Sequence, residues 1–135
     1  MKDKIILITG ANRGIGHNML KKIATCGYTV IGTSRSEDGA DLITETLKDF
    51  KGEGIVMDVT NQESINTSVS QIKDDYGVIY GLVNNAGITN DNLLMRMTDE
   101  QWNTVIETNL TSLYRVTKSV VKDMMKVRSL SLIHI

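Results

Sequence analysis

The chain has 135 residues, enough for one domain and too few for two. Fifteen basic against sixteen acidic side chains leave a net charge of −1, so no broad field recruits nucleic acid or an anionic membrane, and a small or neutral partner is expected. The single Cys26 has no partner for an internal disulfide, no apolar run approaches the ~20 residues that span a bilayer, and the start carries no signal-peptide pattern, which makes a cytoplasmic protein the expectation.

Residues 4–8 are a short β-branched run ending in Thr9-Gly10, which predicts a buried parallel strand entering a tight turn. Ile15, Met19, Leu20, Ile23 and Ala24 then recur at helical spacing over 14–26, with Gly27 as the C-cap. A second strand follows over 28–33 and a second helix over 38–51, for which Asp38 can serve as cap. A short third strand is expected over 54–57, and Asn61 caps a third helix reaching Tyr76-Gly77. The fourth strand begins at Gly81-Leu82-Val83 and ends in Asn84-Asn85-Ala86-Gly87. From Thr98 to about Arg128 the pattern is that of one long helix, opened by a Thr98-x-x-Gln101 capping box. The chain has no proline, so its breaks fall on glycines and on polar clusters such as residues 89–92. Strands alternating with helices imply right-handed βαβ units. The fold class expected is α/β: a Rossmann-like doubly wound parallel sheet of about four strands with helices on both faces.

The turn Thr9-Gly10-Ala11-Asn12-Arg13-Gly14-Ile15-Gly16 lies between the first strand and the first helix. Backbone N–H groups and the helix dipole there favour a pyrophosphate, and the glycines permit its close approach. A glycine-rich turn that holds no ligand is the plainer alternative. Asn84 and Asn85, two amides beside Ala-Gly, suit either a simple turn or the hydrogen-bonding together of neighbouring strands and loops.

Taken together, the Gly-x-x-x-Gly-x-Gly spacing and the Asn84-Asn85-Ala86-Gly87 strand end resemble the short-chain dehydrogenase/reductase family. The likeness runs from about Lys4 to about Arg128 and is sharpest over residues 84–97 and 102–110, where it is to the bacterial reductases of 3-oxoacyl thioesters; acetoacetyl-CoA reductases share much of residues 88–89 and 108–113 and are the alternative. The resemblance implies that Gly10, Ala11, Asn12, Arg13, Gly14, Ile15 and Gly16 hold the cofactor's phosphates. It also implies that Asp58 and Val59 flank the adenine and that Asn85, Ala86 and Gly87 shape the pocket floor. Asp58 has the simpler reading of a turn or helix-entry carboxylate. The implied cofactor is a nicotinamide dinucleotide, and Gly32-Thr33-Ser34-Arg35 carries no acid for a 2′-hydroxyl. Arg35 with Arg13 can clamp a 2′-phosphate, so NADP(H) is expected, although either arginine taken alone reads equally as a solvated side chain. Asn109 corresponds to the family's catalytic asparagine, which with Ser, Tyr and Lys holds a proton-relaying water. Without the resemblance it is an ordinary mid-helix polar residue. The implied substrate is a thioester carried by acyl-carrier protein or coenzyme A, and the implied assembly is a homotetramer with no nucleic-acid or membrane partner.

Tyr114-Arg115-Val116-Thr117-Lys118 fits Tyr-x-x-x-Lys, but it falls inside the Asn109 helix, whereas the family's pair follows a later Ser strand. A packed Tyr and a solvated Lys are expected instead. Residues 1–128 therefore read as a partial NAD(P)-binding domain. Residues 129–135 depart from the family pattern, and residues 130–135 read as the translation of a sequencing-adapter end, so a non-native tail is expected there. A sheet ending at the fourth strand would leave an open, association-prone edge unless the alternating Ser129, Leu130, Ser131 and Leu132 pair as a makeshift fifth. A nucleotide-binding module without catalysis is the rival from another functional class, because the Ser, Tyr and Lys are not found in these residues.

Overall fold

The computed structural model describes residues 4–87, 94–126 and 131–134. The chain alternates β1 (Ile5–Ile8), α1 (Gly14–Thr25), β2 (Thr29–Ser34), α2 (Glu37–Thr46), β3 (Gly52–Val56), α3 (Gln62–Asp75) and β4 (Ile79–Asn84). A short 3₁₀ turn at Leu94–Arg96 precedes α4 (Asp99–Ile106), a π-helical turn (Glu107–Thr111), α5 (Ser112–Lys126) and β5 (Ser131–His134). All strands are parallel, in the order β3-β2-β1-β4-β5. This is the doubly wound arrangement that the alternation of elements predicts.

Alternate residues of the central strand feed two separate cores. Ile5 and Leu7 pack with Ile65 and Ile72 of α3 and with Val116, Val120 and Met124 of α5. Ile6 and Ile8 face the other way, against Leu20 and Ala24 of α1 and Ile43 of α2. The period-two alternation of a strand explains why β1 is apolar at every position: both of its faces are covered. On α5 the buried residues recur every four positions, which keeps one stripe against the sheet.

Several boundaries differ from the sequence reading, and the fourth strand starts at Ile79, before the expected Gly81. The second helix is capped by Ser36, whose Oγ accepts the Gly39 N–H at 3.1 Å, while Asp38 lies in the first turn, where its charge complements the dipole. That helix ends at Thr46 because Lys51 and Gly52 are already committed to the sheet: Val30 donates to the Lys51 carbonyl at 3.0 Å and pairs with Gly52. For the same reason β3 starts at Gly52, before the expected Gly54. A further difference is the π-helical turn that interrupts the expected single long helix at Glu107–Thr111.

The Asn61 cap and the Thr98–Gln101 capping box form as expected. The sheet gains a fifth strand, with Gly81 opposite Ser131 and Asn84 opposite His134, so the outer edge of β4 is paired. The motif residues 88–93 and the expected boundary at Arg128 lie outside the described residues.

Candidate functional site: a cleft at the switch point of the sheet

Strand order reverses direction between β1 and β4, and the chain leaves these two strands toward opposite faces of the sheet. Open α/β sheets bind ligands in the crevice that this creates at the strands' carboxyl ends. Here the crevice is a cleft of about 460 Å³. One wall is the glycine turn, through Gly10, Asn12, Arg13 and Gly14, and the floor is Asn85, Ala86 and Gly87. The end of β2 contributes Thr33, Ser34, Arg35 and Ser36, while Met57 and Val59 after β3 and Thr108 of the π-helical turn complete the lining.

A small set of part-buried hydrogen bonds holds the two diverging loops together. Thr9, 2% exposed, accepts the Asn85 and Ala86 backbone N–H groups on one hydroxyl oxygen, each at 3.0 Å. Asn85 returns the link, its Nδ2 donating to the Gly10 carbonyl at 2.9 Å. Gly10 and Ala11 are tied to the neighbouring strand through the Thr33 hydroxyl and carbonyl, at 3.3 and 2.9 Å. Asn84 donates across to Thr117 of α5 at 3.2 Å. Both asparagines therefore join strands and loops, the second of the two readings that their sequence allowed. The packing is close enough to require glycine: a Cβ on Gly16 would stand 2.3 Å from Asn85 Nδ2 and 2.5 Å from the Gly10 carbonyl oxygen. Gly10 itself has φ of 63° and lies against the Ala86 backbone.

The amino end of α1 opens onto this cleft without a cap. Arg13 stands at the N-cap position and makes no side-chain capping bond, and the first turn holds no acid. By contrast, α2, α3 and α4 each have a capping side chain and at least one acid in the first turn. The first N–H groups of α1 thus keep their hydrogen-bonding capacity and partial positive charge for an external anion. Arg13 and Arg35 are exposed, and neither is ion-paired among the described residues. No acid is found among the described residues lining the cleft. This donor set fits a dinucleotide: backbone N–H groups suit a pyrophosphate, and planar guanidinium groups beside serine hydroxyls suit a further phosphate.

Some expected site residues lie behind the cleft rather than on it. Ala11 and Gly16 are buried in the loop packing, and Ile15 is exposed on α1. Asp58, between the lining residues Met57 and Val59, is engaged by its own turn: Oδ1 accepts the Thr60 hydroxyl at 2.6 Å and the Thr60 N–H at 2.9 Å. The Thr60 hydroxyl is the main reason the Asp58 carboxyl is held below its ordinary value of 3.8, with the Thr60 N–H and the charge of Arg35 adding to it and partial burial opposing. Asn109 is in the π-helical turn, an irregularity found disproportionately at functional sites. Its Oδ1 would be 3.0 Å from a Cβ on Gly87, so the asparagine lies directly beneath the cleft floor.

The Tyr114–Lys118 pair does meet, Nζ donating to Oη at 3.2 Å. Tyr114 is 62% exposed rather than packed, however, and neither residue lines the cleft. Sequence reasoning places Thr9 at the start of the glycine turn without its locking role, and gives Ser36, Met57 and Thr108 no place in the site. It quoted Thr33 and Ser34 only for the acid that they are not, although their place at a strand's carboxyl end was a usable signal.

Fold and cleft together define a Rossmann-like α/β unit with an anion-receptive glycine turn at its switch point. Residues 4–135 match the family model of short chain dehydrogenases, and the chain belongs to that family. It is 52% identical over 128 residues to the 3-oxoacyl-[acyl-carrier-protein] reductase of Haemophilus influenzae, covering 95% of this chain and 52% of that protein. The Vibrio harveyi enzyme of the same name is 49% identical over 135 residues, covering 100% of this chain and 55% of its own length. The Escherichia coli enzyme is 49% identical over 127 residues, covering 94% and 52%. The chain thus spans about half the length of the curated relatives it matches.

Two predictions come from this geometry. Gly14→Ala adds a methyl in open space and costs only the strain of its φ of 63°, about 1 kcal/mol, whereas Gly16→Ala drives a Cβ into Asn85 and the Gly10 backbone. Urea unfolding should therefore rank Gly16→Ala as the less stable, and equal losses would mean that the two loops are not in contact. For Asp58, folding favours the charged carboxylate, so its contribution is complete above 3.8 and is lost as pH falls through the lower folded value. The gap in melting temperature between the wild-type chain and Asp58→Ala should be present at about pH 6 and close toward about pH 3. A gap that widens on acidification contradicts the turn described.

Proposed function

We propose that this chain is the nucleotide-binding half of an NADPH-dependent reductase that converts 3-oxoacyl thioesters to 3-hydroxyacyl thioesters in fatty acid biosynthesis. The observation that carries the reading is the pairing of an uncapped α1 terminus with Arg13 and Arg35 in a cleft whose described lining has no acid. The substrate class is supported by the relatives, whose names describe reduction of 3-oxoacyl groups on acyl-carrier protein. The same chemistry accommodates a coenzyme A thioester.

When bound, NADPH supplies the hydride that adds to the 3-oxo carbon, and a proton on the carbonyl oxygen completes the alcohol as NADP+ forms. The residues of this chain bind and orient. The first N–H groups of α1 receive the pyrophosphate, and Arg13 and Arg35, with Ser34 and Ser36 beside them, receive the 2′-phosphate. Val59 and Met57 offer an apolar surface to the adenine. Asn85, Ala86 and Gly87 form the floor, and Asn109 beneath it supports the proton relay that the family completes with Ser, Tyr and Lys. Leu110, Tyr114 and Met125 leave apolar surface exposed on the helices that in this reading pack against another subunit of a tetramer.

NADPH should bind more tightly than NADH, and Arg35→Ala should remove about tenfold of that preference, the low end for one charge-assisted contact. Fluorescence titration of the reduced nucleotides measures both. Equal affinities for the two, or a preference unchanged in Arg35→Ala, would count against the clamp.

A further inference from the structure

Arg115 projects from α5 and makes two contacts through one nitrogen. Its Nη1 donates to the Thr60 carbonyl at 3.3 Å and to Glu107 Oε1. Glu107 opens the π-helical turn, eight residues earlier. In a regular helix that separation is about 12 Å of rise, well past the reach of i, i+4 neighbours, so the pair closes over the whole irregular turn. Thr60 is the residue whose N–H and hydroxyl fix Asp58.

Each of the two partners adjoins residues that line the cleft. Met57 and Val59 lie immediately before Thr60, and Thr108 immediately follows Glu107. Arg115 does not line the cleft itself. Its side chain is only 26% exposed, against 39% for Glu107, which distinguishes this planar donor from a freely solvated surface pair. A second ion pair, Lys73–Asp123 at 3.2 Å, joins α3 to α5 farther along the helix. It ends on no cleft wall, which makes it the natural comparison.

We propose that Arg115 is a positioning residue for the nucleotide: by tying the Thr60 carbonyl to Glu107 it fixes the separation of the Met57–Val59 and Thr108 walls without touching the ligand. The inference rests on the nucleotide reading above. A residue that acts through such a network modulates affinity, so a modest effect is expected rather than abolition of binding.

The experiment uses the 135-residue chain and four proteins: wild type, Arg115→Ala, Glu107→Gln and Asp123→Ala, each checked for folding by circular dichroism. NADPH titration should show dissociation constants raised about three- to tenfold in Arg115→Ala and Glu107→Gln. Asp123→Ala should lower the melting temperature and leave the constant unchanged. Amide hydrogen exchange in the absence of nucleotide should quicken in Arg115→Ala at residues 57–61 and 107–111 together. Unchanged affinity in folded Arg115→Ala and Glu107→Gln, or an equal loss in Asp123→Ala, overturns the proposal. If the wild-type chain binds no nucleotide, the functional reading fails, and exchange at residues 57–61 that is indifferent to Arg115 overturns the clasp separately.

Discussion

Everything at the carboxyl end of the sheet depends on one buried hydroxyl. Thr9 stands where β1 and β4 part, and its Oγ1 takes up two part-buried backbone N–H groups of the β4 loop. Asn85 answers with its amide on the Gly10 carbonyl, and Gly16 lets α1 approach closely enough for that amide to fit. Losing one partner of a buried hydrogen bond strands the other, at about 1–3 kcal/mol each, so the lock is stiffer than its few bonds suggest. It holds two loops that leave the sheet toward opposite faces, and the cleft is the space kept open between them.

The electrostatic character of that space follows from what the helix ends lack. Three helices spend an oxygen of Ser36, Asn61 or Thr98 on their own first turn and carry acids beside it. α1 does neither, and its terminus faces the cleft together with Arg13. A helix left this way has unmet donors and an uncompensated dipole, tolerable because water or an anion can satisfy them. The lining after β3 is firmer, since Asp58 is anchored to Thr60 and Thr60 to Arg115. Function and local stability thus divide along the chain: the glycine turn is left receptive, while the turns around it are closed by their own side chains.

Much of this was readable from residue order. The alternation of apolar runs and helical stretches predicts the doubly wound sheet, and Asn61 and Thr98-x-x-Gln101 announce their helix starts because capping is a local matter of one side chain and a backbone three residues on. The second helix was placed too far along because the pull of β3's register on Lys51 and Gly52 is tertiary and leaves no mark on helical spacing. The π-helical turn at Asn109 was invisible for a related reason, since residues 98–128 keep an acceptable helical pattern on either side of it. The roles of Thr9 and Thr108 were missed because a threonine's worth depends on what stands opposite. Their partners and neighbours, at Asn85 and elsewhere on the cleft lining, are distant in sequence. Of the alternating residues that make a fifth strand conceivable, Ser131 and Leu132 pair with β4 in a strand that runs on to His134, while Ser129 and Leu130 lie outside the described residues.

The central claim, that a dinucleotide lies across the receptive end of α1 and over the locked loops, is open to residue-level observation. Titrating the ¹⁵N-labelled chain with NADPH and following its amide resonances tests it most directly. The account predicts that the largest shifts fall on the turn from Asn12 to Gly16, on Ser34 to Ser36 and on Asn85 to Gly87, with the outer face of α3 silent. Saturable shifts confined to other surfaces, with the α1 terminus unmoved, would contradict it.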